Sequence, residues 1–158
     1  MTERDIDGID RQDRRILAAL QADGRITTAE LSERIGLSPT ATADRVRRLT
    51  REGFILGYRA RLDPVKLGRG LLVFVEVLLD RTSPDVFDAF ARQVRRTSEV
   101  LECHLVAGGF DYLIKARVKD MTAYRKFLAG VILPLPGVRE TRTYAVMEEI
   151  KAADTLPI

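Results

Sequence analysis

The apolar positions of the first sixty residues recur at helical spacing and predict a series of short helices. In the first helix they lie between Ile16 and Leu20, behind a polar start that includes Asp10 and Asp13. The pattern stops at Gly24, where we expect glycine in the left-handed conformation that often ends a helix. The segment is therefore predicted to be an amphipathic helix closed by a turn.

Two further helices follow, with only a short turn between them. For the second helix, Thr28 is the predicted N-cap and Gly36 the end. The third helix opens with Ser38 as N-cap and Pro39 in the first turn, and it ends at Gly53. The apolar stripes are Leu31 and Ile35 in the second helix and Ala43, Val46 and Leu49 in the third. This spacing, over about residues 28–47, is that of a helix-turn-helix whose second helix enters the DNA major groove.

The same stretch carries a local excess of positive charge. Residues 38–61 contain six arginines against Asp44 and Glu52, a net charge of +4, whereas the whole chain has +3. Such a patch favours DNA as the partner, because arginine can bond guanine bidentately or clamp a phosphate. The predicted DNA contacts are Ser38, Thr40, Ala41, Asp44, Arg45, Arg47 and Arg48. The alternative is that the charges only form a solvated helix face.

Beyond the third helix the pattern changes from helical to extended. The segment FILGYRARLDP, residues 54–64, is typical of a short strand followed by a turn. Residues 61–69 contain the Pro and Gly that are typical of a linker. We therefore expect a helix-turn-helix domain over residues 1–60 and a second domain over residues 70–158.

The second domain alternates strand and helix patterns. The predicted order is a strand at 70–79, a helix at 85–97, strands at 100–107 and 111–118, a helix at 122–133 and a strand at 138–150. This βαββαβ order predicts an α+β fold, a ferredoxin-like sandwich with both helices on one face of the sheet. The other face is too apolar to stay solvated, so self-association is the simplest expectation for it.

Several functional classes are disfavoured by the composition. No apolar run approaches the roughly 20 residues of a membrane span, and the charged N-terminus is unlike a signal peptide, so we expect a cytoplasmic protein. The single cysteine, Cys103, and the single histidine, His104, are neighbours on a predicted strand and point to opposite faces. This arrangement disfavours a catalytic dyad and a metal site alike. We expect neither an enzyme nor a bound metal or cofactor.

Four longer segments extend, together, from about Ile9 to Lys151. They are DRRILAALQADGRITTAELSERIGLSPT, RVRRLTREGFILGY, ECHLVAGGFDYLIKARVKDMTAYRKFL and LPGVRETRTYAVMEE. These segments resemble the Lrp/AsnC family of transcriptional regulators, and within it the leucine-responsive branch. The resemblance implies a winged helix-turn-helix domain and a C-terminal ferredoxin-like domain, the RAM domain, that responds to an amino acid. It also implies a nucleoid-associated protein that binds double-stranded DNA as homodimers, which often assemble to octamers.

The resemblance places an effector site at the turn between the second and third strands of the C-terminal domain, where neighbouring dimers meet. An α-amino acid needs an acceptor for its ammonium group, N–H donors for its carboxylate and a pocket for its side chain. Asp111 is the candidate acceptor, and glycines allow close approach to the backbone. Carried onto this chain, the site comprises Gly108, Gly109, Asp111, Tyr112, Met121, Thr122, Tyr124, Tyr144, Ala145 and Val146, with leucine as the expected effector. The alternative is that the glycines only turn the chain and Asp111 caps that turn.

Two departures from the family pattern affect the ligand and the operator. Gly109 stands where the family more often has a polar residue, and residues 40–44, TATAD, differ from those of the best-known leucine-responsive members. One alternative is therefore a pathway-specific regulator, for instance of proline or branched-chain amino-acid catabolism. A further alternative is an architectural DNA-binding protein that responds to no ligand.

Overall fold

The computed structural model describes residues 8–152 and 155–158 and forms two compact units. One unit comprises Met1–Arg61 and Ala152–Ile158, and the other comprises Leu62–Lys151. The first contains the helices α1 (Arg11–Ala22), α2 (Thr28–Ile35) and α3 (Pro39–Arg51). The second contains β1 (Leu71–Leu79), α4 (Pro84–Arg95), β2 (Val100–Leu105), β3 (Tyr112–Val118), α5 (Met121–Phe127) and β4 (Val138–Ala145). The predicted βαββαβ order is confirmed, and α5 continues into a π-helical turn, Leu128–Ile132.

The helix starts follow local capping chemistry. In α2 the N-cap is Thr27 and not Thr28, because the Thr27 Oγ1 accepts the Glu30 N–H at 3.2 Å while Glu30 Oε2 accepts the Thr27 N–H at 2.9 Å. This reciprocal capping box makes Thr28 the first helical residue. The prediction for α3 is confirmed, since the Ser38 Oγ accepts the Ala41 N–H at 3.2 Å and proline occupies the first turn.

Two of the three predicted glycine helix ends are confirmed. Gly36 has φ of 74° and Gly53 has φ of 81°, both in the left-handed region. Gly24 is outside that region. The helix α1 ends at Ala22, and its C-cap is Asp23, which has an extended backbone. A Cβ added at Gly24 would lie 3.1 Å from the Tyr58 ring, so this glycine makes room for a side chain instead of capping the helix.

Substitution at Gly36 is expected to show the cost of the left-handed cap. Gly36→Ala should lower the free energy of unfolding of the first unit by about 1 kcal/mol, because alanine pays a steric penalty there that glycine does not. Nothing lies within 4 Å of an added Cβ, so the loss reports backbone strain alone. Thermal unfolding of Gly36→Asn is the control, and it should lose less, since asparagine tolerates this region better. Equal losses in both variants would contradict the explanation.

The strand predicted for residues 54–64 does not form. Residues 55–63 are neither helix nor strand, and Leu56 and Leu62 are 96% and 70% exposed. A strand needs a partner for its N–H and C=O groups, and the described residues supply none next to this segment. Apolar residues alternate along the segment as they do in a strand, but no strand of the described residues supplies the hydrogen-bonding partner.

The four strands form an antiparallel sheet in the order β2-β3-β1-β4. Alternate residues of β1, from Val73 to Leu79, are buried against the residues of α4 and α5. Phe90 of α4 is fully buried, and its ring stacks on Tyr112 with a centroid distance of 4.2 Å. The expected α+β, ferredoxin-like arrangement with both helices on one face is confirmed.

The opposite face, here called the open sheet face, carries the remaining side chains of the strands. It comprises Leu72, Phe74, Glu76, Leu78, Glu102, His104, Leu113, Lys115, Arg117, Glu140, Arg142 and Tyr144. Its charges are largely compensated within the protomer. Lys115 Nζ lies 2.7 Å from Glu102 Oε1, and the Tyr144 hydroxyl donates to Glu76 Oε1 at 3.0 Å. Four of these twelve residues are leucine or phenylalanine, and the three glutamates are balanced by one lysine and two arginines, so the face has no net charge.

The end of the chain lies with the first unit, whereas the sequence assigned all of residues 70–158 to the second domain. The Gln21 amide of α1 bonds the backbone of Leu156 in both directions. Its Nε2 donates to the Leu156 carbonyl at 3.1 Å, and its Oε1 accepts the Leu156 N–H at 2.7 Å. Among the described residues, every helix is too short or too polar to span a lipid bilayer.

Candidate DNA-binding and effector sites

The helix α3 has one polar face that is exposed to solvent and a second face that is buried in the domain. Thr42 and Leu49 are fully buried, and Val46 packs with them, whereas Ala43, expected in the apolar stripe, is not part of this core. The buried Thr42 hydroxyl is satisfied, because its Oγ1 donates to the Ser38 carbonyl at 2.9 Å. A threonine thus completes the inner face of the helix.

The predicted DNA contacts divide between the two faces of α3. Ser38, Thr40, Asp44 and Arg47 are exposed, and Ala41 is partly exposed. Arg47 pairs with Asp44 along the helix surface, and their side chains are 69% and 60% exposed. Arg51, one turn further on, is 74% exposed and lies on the same outer side. These residues form a continuous solvent-facing surface, which we call the outer face of α3.

Arg45 and Arg48 lie on the inner side, against α1. Arg45 Nη1 lies 2.7 Å from Asp10 Oδ2 and 2.8 Å from Asp13 Oδ1. Arg48 Nη2 lies 2.6 Å from Asp13 Oδ2, and its Nη1 lies 3.2 Å from Glu52. Both guanidinium groups are therefore occupied within the domain.

The carboxylate that holds both arginines is almost completely enclosed. The Asp13 side chain is 1% exposed. Burial alone would raise the pKa of Asp13, but hydrogen bonds from the Asp10 N–H, Arg48 and Arg45 outweigh burial and lower it. Asp13 is therefore ionised at neutral pH.

The turn between β2 and β3 is tied to the end of β1. The Asp111 N–H donates to the Val77 carbonyl at 3.0 Å, and Asp111 Oδ2 accepts the Leu79 N–H at 2.7 Å. The pairing of β1 with β4 shifts register between Leu78 and Leu79, so the Asp111 carboxylate satisfies an N–H at an irregular point of the sheet. Asp111 thus has a structural partner outside its own turn.

Neither the backbone conformation nor the neighbouring atoms of the protomer require glycine at these two positions of the turn. Neither Gly108 nor Gly109 has positive φ, and an added Cβ on either would meet nothing within 4 Å. Gly109 and Phe110 line a small cleft of about 60 Å³ together with Glu76, Leu78, Glu140, Thr141 and Arg142. That volume is about two water molecules, which suits a small polar group and not a whole amino acid.

The predicted effector residues fall into two groups within one protomer. Tyr112 pairs with Val77 and Leu105 at one end of the sheet, next to Gly108, Gly109 and Asp111. Met121 and Thr122 follow Val118, which pairs with Leu71 at the other end. Six residues separate these ends, which is roughly 20 Å at the rise of a strand. Tyr144, Ala145 and Val146 lie near the second end, next to Phe74, Val73 and Leu72.

Tyr124 is enclosed beneath this second group. It is 3% exposed, and its hydroxyl is hydrogen-bonded to the Thr143 Oγ1. Burial raises the pKa of the Tyr124 hydroxyl, so it stays protonated at neutral pH. Met121 and Tyr144, in contrast, are 52% and 49% exposed and are open to a ligand or a second chain.

A larger groove of about 520 Å³ runs between α4 and the edge strand β2. Cys103 lies in it, with its side chain toward the core, and burial raises the pKa of its thiol to about 11. His104 is 58% exposed on the open sheet face, beside Glu102. The two residues therefore point to opposite faces, as the strand alternation predicted.

The sequence matches two family models in the same order as the two units. Residues 9–55 match the winged helix-turn-helix DNA-binding model, and residues 72–156 match the Lrp/AsnC ligand binding domain. The chain belongs to the Lrp/AsnC family. The leucine-responsive regulatory proteins of Escherichia coli and Serratia marcescens are 58% identical to it over 150 residues, 95% of this chain and 92% of theirs.

Solved structures of two regulatory proteins share the fold. A transcriptional regulator from Neisseria meningitidis, in complex with L-methionine, has a TM-score of 0.90 at 38% identity and covers 94% of this chain and 96% of its own. A feast or famine regulatory protein from Mycobacterium tuberculosis, complexed with L-methionine, has a TM-score of 0.84 at 33% identity, with 93% and 97% coverage. The expected class, a transcriptional regulator with a DNA-binding and a ligand-binding domain and not an enzyme, is confirmed by these relatives.

Proposed function

We propose that this Lrp/AsnC protein is an amino-acid-responsive transcriptional regulator whose first effector is leucine. The observation that carries the proposal is the 58% identity, over nearly the whole chain, to proteins named for their response to leucine. Methionine is the second candidate, because two of the similar structures are complexes with L-methionine. In this proposal the protein acts on chromosomal DNA in the cytoplasm.

The DNA-contacting surface is the outer face of α3. Thr40, Ala41 and Asp44 lie on its first turns, where a recognition helix meets base edges. Arg47 and Arg51 are exposed, and their contacts with Asp44 and Glu52 lie at the solvent-facing surface, so both side chains can exchange these contacts for phosphates or guanine. Ser38 and Thr40 lie at the helix start, where hydroxyls and N–H groups favour a phosphate. Arg45 and Arg48, predicted as contacts from the sequence, lie on the inner side of α3 and are bound to Asp13.

The effector site is shared between copies of the chain. The group around Asp111 and the group around Met121 are roughly 20 Å apart by strand length, which is too far for one amino acid to bridge. A second protomer that brings its Met121 side to the Asp111 turn would join the two groups. The glycine pair supports this arrangement, because no contact within the protomer requires glycine there.

Self-association through the open sheet face supplies the dimer from which larger assemblies, up to octamers, are built. Phe74, Leu78 and Leu113 give the face its apolar character, and its charges are compensated within the protomer. Burial of such a face against a second copy therefore leaves few unpaired charges. The exposed apolar residues of the extended segment, Leu56 and Leu62, add further surface for a second chain.

The amino acid then controls DNA binding through assembly. A ligand shifts an equilibrium between assemblies only to the extent that it binds one of them better. A site completed by two protomers meets this requirement, because the ligand has its full set of contacts only in the assembled state.

A thermal-shift screen of the full chain against the twenty amino acids tests the proposal. Leucine should raise the melting temperature, since a ligand specific to the folded state stabilises it by mass action, and light scattering should show a change in mass. Asp111→Asn keeps an acceptor for the Leu79 N–H but removes the charge. We expect it to melt close to the wild type without ligand and to bind leucine at least about tenfold more weakly, the loss typical of a charge-assisted bond.

The outcomes separate the alternatives. A response to methionine alone would replace leucine as the effector, and a response to another amino acid would favour a pathway-specific regulator. No response to any amino acid would favour the architectural protein. If Asp111→Asn responded like the wild type, Asp111 would be only the partner of the Leu79 N–H, and Asp111→Ala would then lower stability alone.

A further inference from the structure

Asp13 is the only charged side chain that is fully buried in the described part of the chain. Its carboxylate accepts three hydrogen bonds. They come from the Asp10 N–H at 3.0 Å, Arg45 Nη1 at 2.8 Å and Arg48 Nη2 at 2.6 Å. One side chain of α1 thus holds two side chains of α3.

The spacing of the two arginines along α3 lets their contact with Asp13 fix the orientation of this helix as well as its distance from α1. Arg45 and Arg48 are three residues apart, which places them on neighbouring positions of one helix face, about one turn apart. Asp10 holds Arg45 a second time at 2.7 Å. Attachment at two heights of α3 restrains its rotation about its own axis as well as its position against α1.

We propose that Asp13 is a positioning residue for DNA recognition, which sets the rotation of α3 through Arg45 and Arg48, while these two arginines remain inside the domain and do not contact DNA. The proposal rests on the outer face of α3 as the DNA-contacting surface.

The effect on recognition follows from helix geometry. Side chains lie about 5–6 Å from the helix axis, so a rotation of 20° moves their tips by roughly 2 Å. Specific contacts tolerate about 0.5 Å. Thr40, Ala41 and Asp44 would therefore lose their base contacts, whereas non-specific attraction between the basic surface and phosphates would persist. The expected signature is a loss of specificity in a folded protein.

The sign of the effect distinguishes positioning from simple electrostatics. Asp13→Asn removes a negative charge from a DNA-binding domain, which by charge alone should strengthen DNA binding. Asparagine matches the shape of aspartate but cannot hold two guanidinium groups as a carboxylate does. If Asp13 positions α3, the substitution must weaken specific binding despite the favourable change in charge.

The probe is a duplex selected by the wild-type protein from a random-sequence library, with a random-sequence duplex of equal length for comparison. For Asp13→Asn we expect affinity for the selected duplex to fall at least about tenfold, and affinity for the random duplex to stay within about threefold or rise. The matched control is Glu33→Gln, which removes an exposed negative charge on α2 and should change neither affinity by more than about threefold. Equal or stronger binding of the selected duplex by Asp13→Asn would overturn the proposal.

A second pair of variants decides the outcome if Asp13→Asn does not fold. Arg48→Gln leaves Asp13 paired with Arg45, and it should weaken selected-duplex binding without changing the dependence of log K on log salt. Arg47→Gln should reduce that slope by about one, as expected for a lost phosphate contact. A reduced slope for Arg48→Gln would show a DNA contact and overturn the proposal. An unchanged slope for Arg47→Gln would count against the outer face as the contact surface. Positioning would still be tested by the ratio of the affinity for the selected duplex to the affinity for the random duplex, measured with Asp13→Asn or Arg48→Gln.

Discussion

Replacing Phe90 with alanine is expected to lower the free energy of unfolding of the second unit by about 3–5 kcal/mol. The ring is fully buried between α4 and the sheet, and its removal leaves a cavity that the surroundings fill only in part. The loss also removes the surface on which Tyr112 stacks at 4.2 Å, directly after Asp111. Urea unfolding followed by tyrosine near-UV circular dichroism measures the effect, because three of the four tyrosines lie in this unit and the chain has no tryptophan.

Phe90→Leu is the matched control for this prediction. Leucine keeps most of the apolar volume, so the loss should be clearly smaller than for alanine. Phe87→Ala is a second comparison, because Phe87 is only partly buried and meets Tyr112 edge-on at 6.0 Å. An unfolding midpoint for Phe90→Ala that matched the wild type would contradict the packing described for this core.

The double substitution Arg47→Gln and Arg51→Gln is expected to lower affinity for duplex DNA by about tenfold or more at 0.15 M salt. Each arginine that neutralises a phosphate contributes about 0.9 to the slope of log K against log salt, so the slope should fall by about two. Both side chains are more than two-thirds exposed on the outer face of α3, so the fold of the domain should be unaffected. A salt titration of DNA binding by fluorescence anisotropy measures both quantities.

The control for the arginine pair removes the same amount of positive charge from a different part of the protein. Arg92→Gln with Arg96→Gln removes two exposed arginines from the second unit and lowers the net charge equally. We expect a much smaller loss of affinity and a nearly unchanged slope. Equal slopes in the two double variants would mean that DNA binding reflects overall charge and not the outer face of α3.

Local signals predicted most of the helices and strands because their causes lie within a few residues. Ser38 and Pro39 start α3 through a hydrogen bond and a fixed φ that involve only neighbouring residues. Gly36 and Gly53 end helices for the same local reason. The errors of this kind were small, as with Thr27 in place of Thr28, because two adjacent threonines offer almost the same capping chemistry.

The strand predicted at residues 54–64 shows what a local pattern leaves out. Alternating apolar residues describe a chain that can pair, but pairing requires a second strand with free N–H and C=O groups. No strand of the described residues lies beside this segment, and Leu56 remains 96% exposed. The same pattern would describe a strand if another chain provided its partner.

The roles of Arg45 and Arg48 depended on a contact that no local pattern contains. Both lie outside the apolar stripe of Ala43, Val46 and Leu49, and for that reason the sequence predicts them on the outward side of α3. Their partner, Asp13, lies 32 to 35 residues away, and its own local role in the capping box of α1 gave no sign of a second one. Only the packing of α3 against α1 brings the three charges together.

The sequence by itself determined the order of the elements, the helix-turn-helix and the outward position of Asp44 and Arg47, because capping, periodicity and charge act over short distances. The class of the protein followed from the resemblance of four long segments to a known family. The tertiary structure decided which arginines of α3 are held by the buried Asp13, and it tied the Asp111 carboxylate to the Leu79 N–H. It also separated the Asp111 turn from Met121 by the length of the sheet. These results depend on contacts between residues far apart in the chain, which form only when the elements pack.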